Sequence, residues 1–218
     1  MIQVENLNLN LRKTLSKGQV AISQPAGCPD INLWLFNPKV LEGPLSHDEA
    51  QAVVAEPAYW SFCWASGQVL AKYILSHPEI VKDKVVVDVG SGSGIVAIAA
   101  ALAGAKVTYA CDIDEDALDA VTMNAQENKV KVQTVKSLDE VSEEIDLITA
   151  ADVLYDRDNF SLLTRFTESA PQVLLADSRI KTLPVDHYEL QTTIEARTWP
   201  DLNEFEEFNQ VRIYLSAL

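Results

Sequence analysis

The sequence predicts a three-layer α/β fold built on a mostly parallel sheet of seven strands. From Val85 onward, short β-branched segments alternate with segments rich in Ala and Leu, a pattern typical of parallel strands joined by helices. One of these strands, VVVDV (85–89), runs into a glycine-rich loop and then directly into a helix. Two strand-like segments near the C-terminus have no helix between them, which predicts an antiparallel pair at one edge of the sheet.

The alternating part is predicted to contain strands joined by three helices. The strands are expected at 85–89, 106–112, 130–136, 145–152 and 172–177, and the helices at 95–103, 115–128 and 160–169. The antiparallel pair is expected at 188–199 and 211–218, on either side of an acidic loop. A further helix at 67–75 has one apolar face and is expected to pack against the sheet.

Residues 1–55 are expected to form an extension of the main domain (56–218) and not a domain of their own. In this extension QVAI (19–22) and INLWLF (31–36) flank a cluster of turn-forming residues, which predicts a β-hairpin. We interpret the hairpin as a lid, followed by a polar stretch up to Glu56. The rest of the extension shows no regular pattern.

Composition disfavours several classes of function. With 17 basic and 32 acidic residues the chain has a formal charge of −15, whereas binding to nucleic acid needs clustered Lys and Arg. The longest apolar run, 95–105, is far shorter than the roughly 20 residues of a membrane span. Three cysteines, an odd number, lack the spacing of a disulfide framework or a zinc site. We therefore expect a cytoplasmic protein with no metal and no nucleic-acid or membrane partner.

The most informative motif is the loop GSGSG (90–94), which follows the first strand directly. Glycines let the backbone turn tightly and let a ligand approach, while the free N–H groups of the next helix attract an anion. A dinucleotide-binding loop needs a glycine at position 95, where this chain has Ile95. Such loops also carry an apolar residue at the place of Asp88. Both differences argue against NAD or FAD.

An acid followed by G-x-G-x-G resembles the first motif of class I S-adenosylmethionine (SAM) methyltransferases, a family with a Rossmann-like fold. The resemblance implies that Asp88 organises the loop and faces the amino group of the methionine moiety. It also implies that the loop binds SAM and its product S-adenosylhomocysteine. The loop residues expected to contact the cofactor are Gly90, Ser91, Gly92 and Gly94.

Further cofactor contacts are expected where the following strands end. Asp112 lies at the place from which a carboxylate can accept both ribose hydroxyls, and Asp114 is the better N-cap for the next helix. Ile113 is expected to flank the adenine. The other expected contacts are Ser137 and Leu138 after the third strand and Ala151 at the end of the fourth.

The fourth strand ends in ITAADVLYD, where Asp152 and Tyr155 lie three residues apart. A carboxylate and a phenol at this edge of the sheet can face one methyl acceptor, although the spacing also allows a turn cap and a core aromatic. The motif resembles Asp-x-x-Tyr in a group of class I enzymes dominated by protein lysine methyltransferases and nicotinamide N-methyltransferase-like proteins. In that group a Trp ahead of the first strand, here Trp64, lines the cofactor site. The neighbouring Tyr59 and Trp60 can stack on a substrate, but aromatics beside the start of a helix are more often part of the core.

The resemblance covers residues 25–184 and extends to the lysine methyltransferases of the electron-transfer-flavoprotein β subunit, whose PxIxLxLxxP pattern PDINLWLFNP (29–38) resembles. It implies methylation of lysine side chains on a protein, with Asp152 and Tyr155 orienting the amine. The loop DSRIKTLP (177–184) departs from the Asp-Pro-x-Arg of that family. The alternatives are a small-molecule, nicotinamide-type N-methyltransferase, a dinucleotide oxidoreductase and a non-catalytic binding module.

Overall fold

A computed structural model describes residues 2–40, 57–201 and 206–217. The helices are α1 (Ile2–Arg12), α2 (Ala65–Ser76), α3 (Ile95–Leu102), α4 (Glu115–Glu127) and α5 (Ser161–Ser169). The strands are β1 (Val20–Ser23), β2 (Leu33–Phe36), β3 (Val85–Val89), β4 (Val107–Cys111), β5 (Gln133–Val135), β6 (Leu147–Ala151), β7 (Gln172–Asp177), β8 (Glu189–Glu195) and β9 (Gln210–Ala217). The polar stretch 41–56, the loop residues 202–205 and Leu218 lie outside the described residues.

Strands β3 to β9 form one seven-stranded sheet in the order β5-β4-β3-β6-β7-β9-β8. β3 pairs in parallel with β4 and with β6, and β6 pairs in parallel with β7. β9 runs antiparallel between β7 and β8. The predicted α/β fold with an antiparallel C-terminal pair is therefore confirmed. The strand order reverses at β3, and in open α/β sheets such a reversal opens a crevice for ligands at the carboxyl ends of the strands.

Helices cover both faces of the sheet, which explains why its parallel strands are almost continuously apolar. On one face, buried side chains such as Val86 and Leu147 pack against α2 and α3, and α4 packs beside them. On the other face, Val87 and Ile148 belong to a second core cluster with Phe166 of α5. Because the helices cover both faces of the sheet, the carboxyl ends of the strands are where a ligand can bind.

The N-terminal extension contains the predicted hairpin, because β1 and β2 pair antiparallel from Val20–Phe36 to Ser23–Leu33. Its role as a lid stays a prediction. A helix was not predicted in this extension, but residues 2–12 form α1. Leu7 and Leu11, one helical turn apart, are fully buried against the outer side of α4, and this tertiary packing stabilises the helix.

None of the helices in the described ranges 2–40, 57–201 and 206–217 combines the length and the apolar character that crossing a membrane requires.

Candidate active site

The glycine loop follows the carboxyl end of β3 and enters α3 through three residues with positive φ, Gly90 (67°), Gly92 (50°) and Gly94 (80°). Residues with a Cβ rarely adopt such angles. A Cβ at Gly90 would lie 2.6 Å from Val153 Cγ1, so the loop is pressed against the chain that follows β6. A Cβ at Gly92 would have Gly90 O as its nearest neighbour, at 4.0 Å. The loop is therefore packed on its inner side and open on its outer side.

Asp88 lies beneath this loop and is only 1% exposed. Its Oδ1 accepts a hydrogen bond from the Thr149 hydroxyl at 2.9 Å, while its buried Oδ2 has no partner within the described part of the chain. Burial raises the pKa of the Asp88 carboxyl to about 7, although the hydrogen bond from Thr149 acts in the opposite direction. The unpaired oxygen is suited to a donor or a cation, such as the amino group that the resemblance assigns to it.

The raised pKa of Asp88 makes folding stability depend on pH. Because the folded chain binds this proton more tightly than the unfolded chain, the stabilisation is complete below about pH 4 and is lost as the pH rises through about 7. The free energy of unfolding should fall through this group by at most about 1.4 kcal/mol per pH unit. We expect Asp88→Asn, which keeps an acceptor for Thr149, to flatten this dependence in urea unfolding between pH 4 and 8. Equal slopes for both proteins would contradict the assignment.

The Asp112 carboxylate, directly after β4, holds the outer side of the loop. Its Oδ2 accepts the N–H of Gly92 at 2.9 Å, and its Oδ1 accepts the N–H of Asp114 at 3.1 Å. Since each carboxylate oxygen has two acceptor sites, capacity remains for two hydroxyl donors. The N-cap of α4 is Asp114, as predicted, because its Oδ1 accepts the N–H of Asp116 at 2.9 Å.

Ile113 is 91% exposed, an unusual state for an isoleucine, and it lines a cavity of about 460 Å³. The other walls of the cavity come from the C-terminal end of α1, from residues 57–60 and from the start of α4. Ser137 and Leu138 lie after β5, and Leu138 is partly buried in the core on the α5 side. Neither residue lines this cavity.

The N-terminal hairpin is connected to the glycine loop through Asn124 of α4, which is fully buried. The Asn124 Oδ1 accepts the N–H of Trp34 in β2 at 2.7 Å, and its Nδ2 donates to the carbonyl of Ser93 at 2.8 Å. Both halves of the amide are thus used, as a buried polar group requires. The hydrogen bond from Asn124 to Ser93 holds the glycine loop against α4. It was not predicted from the sequence.

Asp152 lies one residue beyond Ala151, the end of β6, and its backbone has a φ of 53°. Its N–H donates to the carbonyl of Ala176 at 3.0 Å. Its Oδ1 accepts three hydrogen bonds, from the Ser66 hydroxyl (2.7 Å), the Ser178 N–H (3.0 Å) and the Ser178 hydroxyl (2.8 Å). Within the described part of the chain Oδ2 has no partner, so one oxygen is fixed by the protein and the other is available.

Tyr155 is 59% exposed and belongs to a cluster of aromatic rings. Its ring centroid lies 5.7 Å from that of Tyr59, which lies 5.7 Å from that of Trp64. Partial burial raises the pKa of the Tyr155 phenol, and the nearby Tyr59 and Asp112 act in the same direction. Tyr155 is therefore within electrostatic reach of Asp112. Of the two aromatics for which the sequence favoured a core position, Trp60 is buried, whereas Tyr59 is 44% exposed.

The segment that carries these aromatics is fixed at its far end by the chain that follows β8. The N–H of Cys63 donates to the carbonyl of Trp199 at 2.7 Å, and the N–H of Trp199 donates back at 2.8 Å. The Gln68 side chain reinforces this contact, because its Nε2 donates to the carbonyls of Cys63 (3.0 Å) and Arg197 (2.7 Å). The C-terminal part of the sheet thus positions one wall of the site.

The structure brings the predicted cofactor and acceptor residues to one edge of the sheet. The glycine loop contacts Val153, between the two residues of the predicted Asp-x-x-Tyr motif, and Tyr155 lies within electrostatic reach of Asp112. The supporting residues Ser66 and Ser178, which hold Asp152, were not predicted. No local pattern in the sequence marks them, since they lie 86 and 26 residues away from Asp152.

The chain is similar in sequence to known methyltransferases. The family model described as ribosomal protein L11 methyltransferase (PrmA) matches residues 69–176. The electron transfer flavoprotein beta subunit lysine methyltransferase of Rattus norvegicus is 32% identical over 155 residues, which are 70% of this chain and 60% of the relative. The human protein of the same name is 31% identical over 157 residues, covering 70% and 58%. This chain thus spans about 60% of the length of these curated relatives.

Two solved structures with a similar fold are methyltransferases. The ribosomal protein L11 methylase from Lactobacillus delbrueckii has a TM-score of 0.53 at 25% identity, over 70% of this chain and 78% of that one. Magnesium protoporphyrin IX methyltransferase from Synechocystis, with bound SAM, has a TM-score of 0.53 at 17% identity, over 81% and 86%. The chain has the fold of the class I SAM-dependent methyltransferases, and its residues 69–176 match a methyltransferase family model. Within that class it is similar to enzymes named for the methylation of proteins.

Proposed function

We propose that this protein is a SAM-dependent N-methyltransferase that acts on lysine side chains of a protein substrate. The observation that carries the proposal is the state of Asp152. Its Oδ1 is held by three donors and its Oδ2 is left available, while the next residue, Val153, contacts the glycine loop. An oriented acceptor oxygen in this position can hold an amine, and the relatives named as lysine methyltransferases support a lysine amine.

The residues around the glycine loop fit SAM. The open outer side at Gly92 lets a ligand approach, and the free capacity of the Asp112 carboxylate suits a ribose diol. The unpaired Oδ2 of Asp88 suits an amino group, and the exposed Ile113 beside its cavity suits a flat base. The loop is therefore expected to hold the methionine end and Asp112 the ribose.

When bound, SAM supplies a methyl group on a cationic sulfonium, which an uncharged amine can attack in line. The chain itself needs to hold the amine nitrogen and to limit competing water. Asp152 Oδ2 is expected to accept an amine N–H and so to fix the direction of the nitrogen lone pair. The exposed Tyr155 ring follows three residues later in the chain. The acidic groups at this edge, such as Asp112 and Asp152, also attract a cationic cofactor and a basic acceptor.

The proposal predicts selective stabilisation by the cofactor. SAM or S-adenosylhomocysteine at about 100 times its Kd should add about 2.7 kcal/mol to the free energy of unfolding. For a chain of this size that corresponds to a rise in Tm of roughly 5–10 °C. NAD at the same concentration should leave Tm unchanged. Equal stabilisation by NAD in differential scanning fluorimetry would contradict the methyltransferase assignment.

The acceptor class is tested with radiolabelled SAM, a lysine-containing peptide and nicotinamide. A lysine must lose its proton before it attacks, and its unperturbed pKa is about 10.4. The rate with the peptide should therefore rise toward alkaline pH, whereas a pyridine nitrogen, already neutral at pH 7, would give a flat profile. Transfer to nicotinamide alone would replace the lysine assignment with that of a small-molecule enzyme.

A further inference from the structure

The half-exposed ring of Tyr59 lies beside Tyr155, one of the two predicted acceptor residues. Its centroid is 5.7 Å from that of Tyr155, with the two ring planes at 38°. At 44% and 59% exposure the two rings present an aromatic surface at the carboxyl edge of the sheet. Large aromatic side chains gain most from burial, so a surface of this kind is suited to contact with a ligand.

The position of Tyr59 is fixed from the protein side. The indole Nε1 of Trp64 donates to the carbonyl of Tyr59 at 3.0 Å, and the two rings pack at 5.7 Å. The neighbouring Trp60 is buried in the cluster that includes Leu7 and Leu11 of α1. The Tyr59 ring is therefore supported on one side, which reduces the entropy lost when a ligand binds to the other.

The charges around the rings indicate the kind of ligand. Asp112 and Asp156 lie close enough to Tyr155 to raise the pKa of its phenol. Asp152 adds a carboxylate at the same edge. An aliphatic chain that ends in an amine matches both features, because its methylenes pack on aromatic faces and its cationic form is attracted by the rings and the carboxylates.

We infer that Tyr59 and Tyr155 together form the wall that binds the aliphatic part of a lysine acceptor, which makes Tyr59 a specificity-determining residue. The inference rests on the proposed function and deepens it. The amine end of the chain lies toward Asp152 and the methylenes lie on the two rings. The protein therefore selects an amine on a flexible apolar chain. One of the two residues that contact this chain, Tyr59, lies in the segment before α2.

The inference is tested with N-α-acetyl-lysine amide and protein that carries 3-fluorotyrosine at its six tyrosines. In the presence of S-adenosylhomocysteine, titration with the lysine amide should shift the fluorine signals of Tyr59 and Tyr155, assigned through Tyr→Phe variants. The signals of the buried Tyr109 and Tyr188 should stay in place. The norleucine analogue, which has an apolar chain without the amine, should bind at least fivefold more weakly. Absence of shifts at Tyr59 would overturn the inference.

Variants separate this inference from the proposed function. Tyr59→Ala should lower kcat/KM for the lysine peptide at least tenfold, with cofactor affinity in calorimetry within twofold of the original. Tyr59→Phe keeps the ring and should restore most of the rate, and Leu190→Ala, at an exposed position on β8, should leave it unchanged. If Tyr59→Ala retains full kcat/KM, Tyr59 does not bind the acceptor, while the methyltransferase assignment stands. If no cofactor binds at all, the proposed function fails, and the fluorine shifts still decide whether the rings bind an amine.

Discussion

Replacing Asp152 by Asn or Ala is expected to lower turnover at least tenfold at saturating SAM, with little change in cofactor affinity. The available Oδ2 is the oxygen that would accept the amine N–H, and hydrogen bonds to charged groups contribute about 1.5–3 kcal/mol. A loss of that size in the transition state alone corresponds to roughly 10- to 150-fold in rate. Single-turnover kinetics with the lysine peptide measures this step directly.

The two substitutions at Asp152 are not equivalent. With φ at 53°, the backbone is in a region that Asp and Asn tolerate and Ala does not, so Asp152→Ala adds strain. Asn retains an oxygen for the donors from Ser66 and Ser178 and places an NH₂ group where Oδ2 was. The substitution therefore puts a hydrogen-bond donor where the amine needs an acceptor. The hydrogen bonds from Ser66 and Ser178 to Oδ1 are kept. Full activity of Asp152→Asn would remove the residue from the mechanism.

Ser66→Ala is the matched control for Asp152. It removes one of the three donors to Oδ1 and keeps the carboxylate, so its effect on turnover should be several-fold smaller. An effect as large as that of Asp152→Asn would mean that the orientation of the carboxylate matters more than its charge.

Replacing Asp112 by Ala is expected to weaken SAM binding by about 1.5–3 kcal/mol, since ribose hydroxyls would lose a charged acceptor. The structure adds a second reason. The same carboxylate accepts the N–H groups of Gly92 and Asp114, so its loss also releases the loop on its outer side. Isothermal titration calorimetry with S-adenosylhomocysteine measures the change.

Asp119→Ala serves as the control for the charge lost at position 112. Asp119 is an exposed residue on α4 whose carboxylate accepts from Asn10, so this variant changes the net charge equally. Its cofactor affinity should equal that of the original protein. Equal weakening by both variants would reduce the role of Asp112 to long-range electrostatics.

The sheet could be predicted from the sequence because buried parallel strands leave a strong local pattern. VVVDV and the glycines after it specify a strand, a turn and a helix within a few residues. The helix α1 could not be predicted in this way. The segment NLNLNL alternates like a strand, and only the packing of Leu7 and Leu11 against α4 decides for a helix.

Residues that act through tertiary contacts were the ones that sequence reasoning missed. The hydroxyls on Asp152 come from a helix and from a loop that are far apart in the chain, and serine is common in both settings. Asn124 is a further example, because its burial depends on what packs nearby. For Tyr59 the sequence left a core position and a substrate contact open, and its exposure also depends on packing. The Asp-x-x-Tyr residues could be predicted because they lie in one short segment that resembles a family motif.

The contact between Cys63 and Trp199 affects the order in which the protein can assemble during synthesis. β8 leaves the ribosome before β9 but lies outside it in the sheet, so β8 has no partner until β9 has formed. The chain that follows β8, including Trp199, is placed only then, and it secures the segment that carries Tyr59. A nascent chain with a complete glycine loop still lacks this one contact of the aromatic segment. The candidate site therefore reaches its full set of contacts only after β9 has formed.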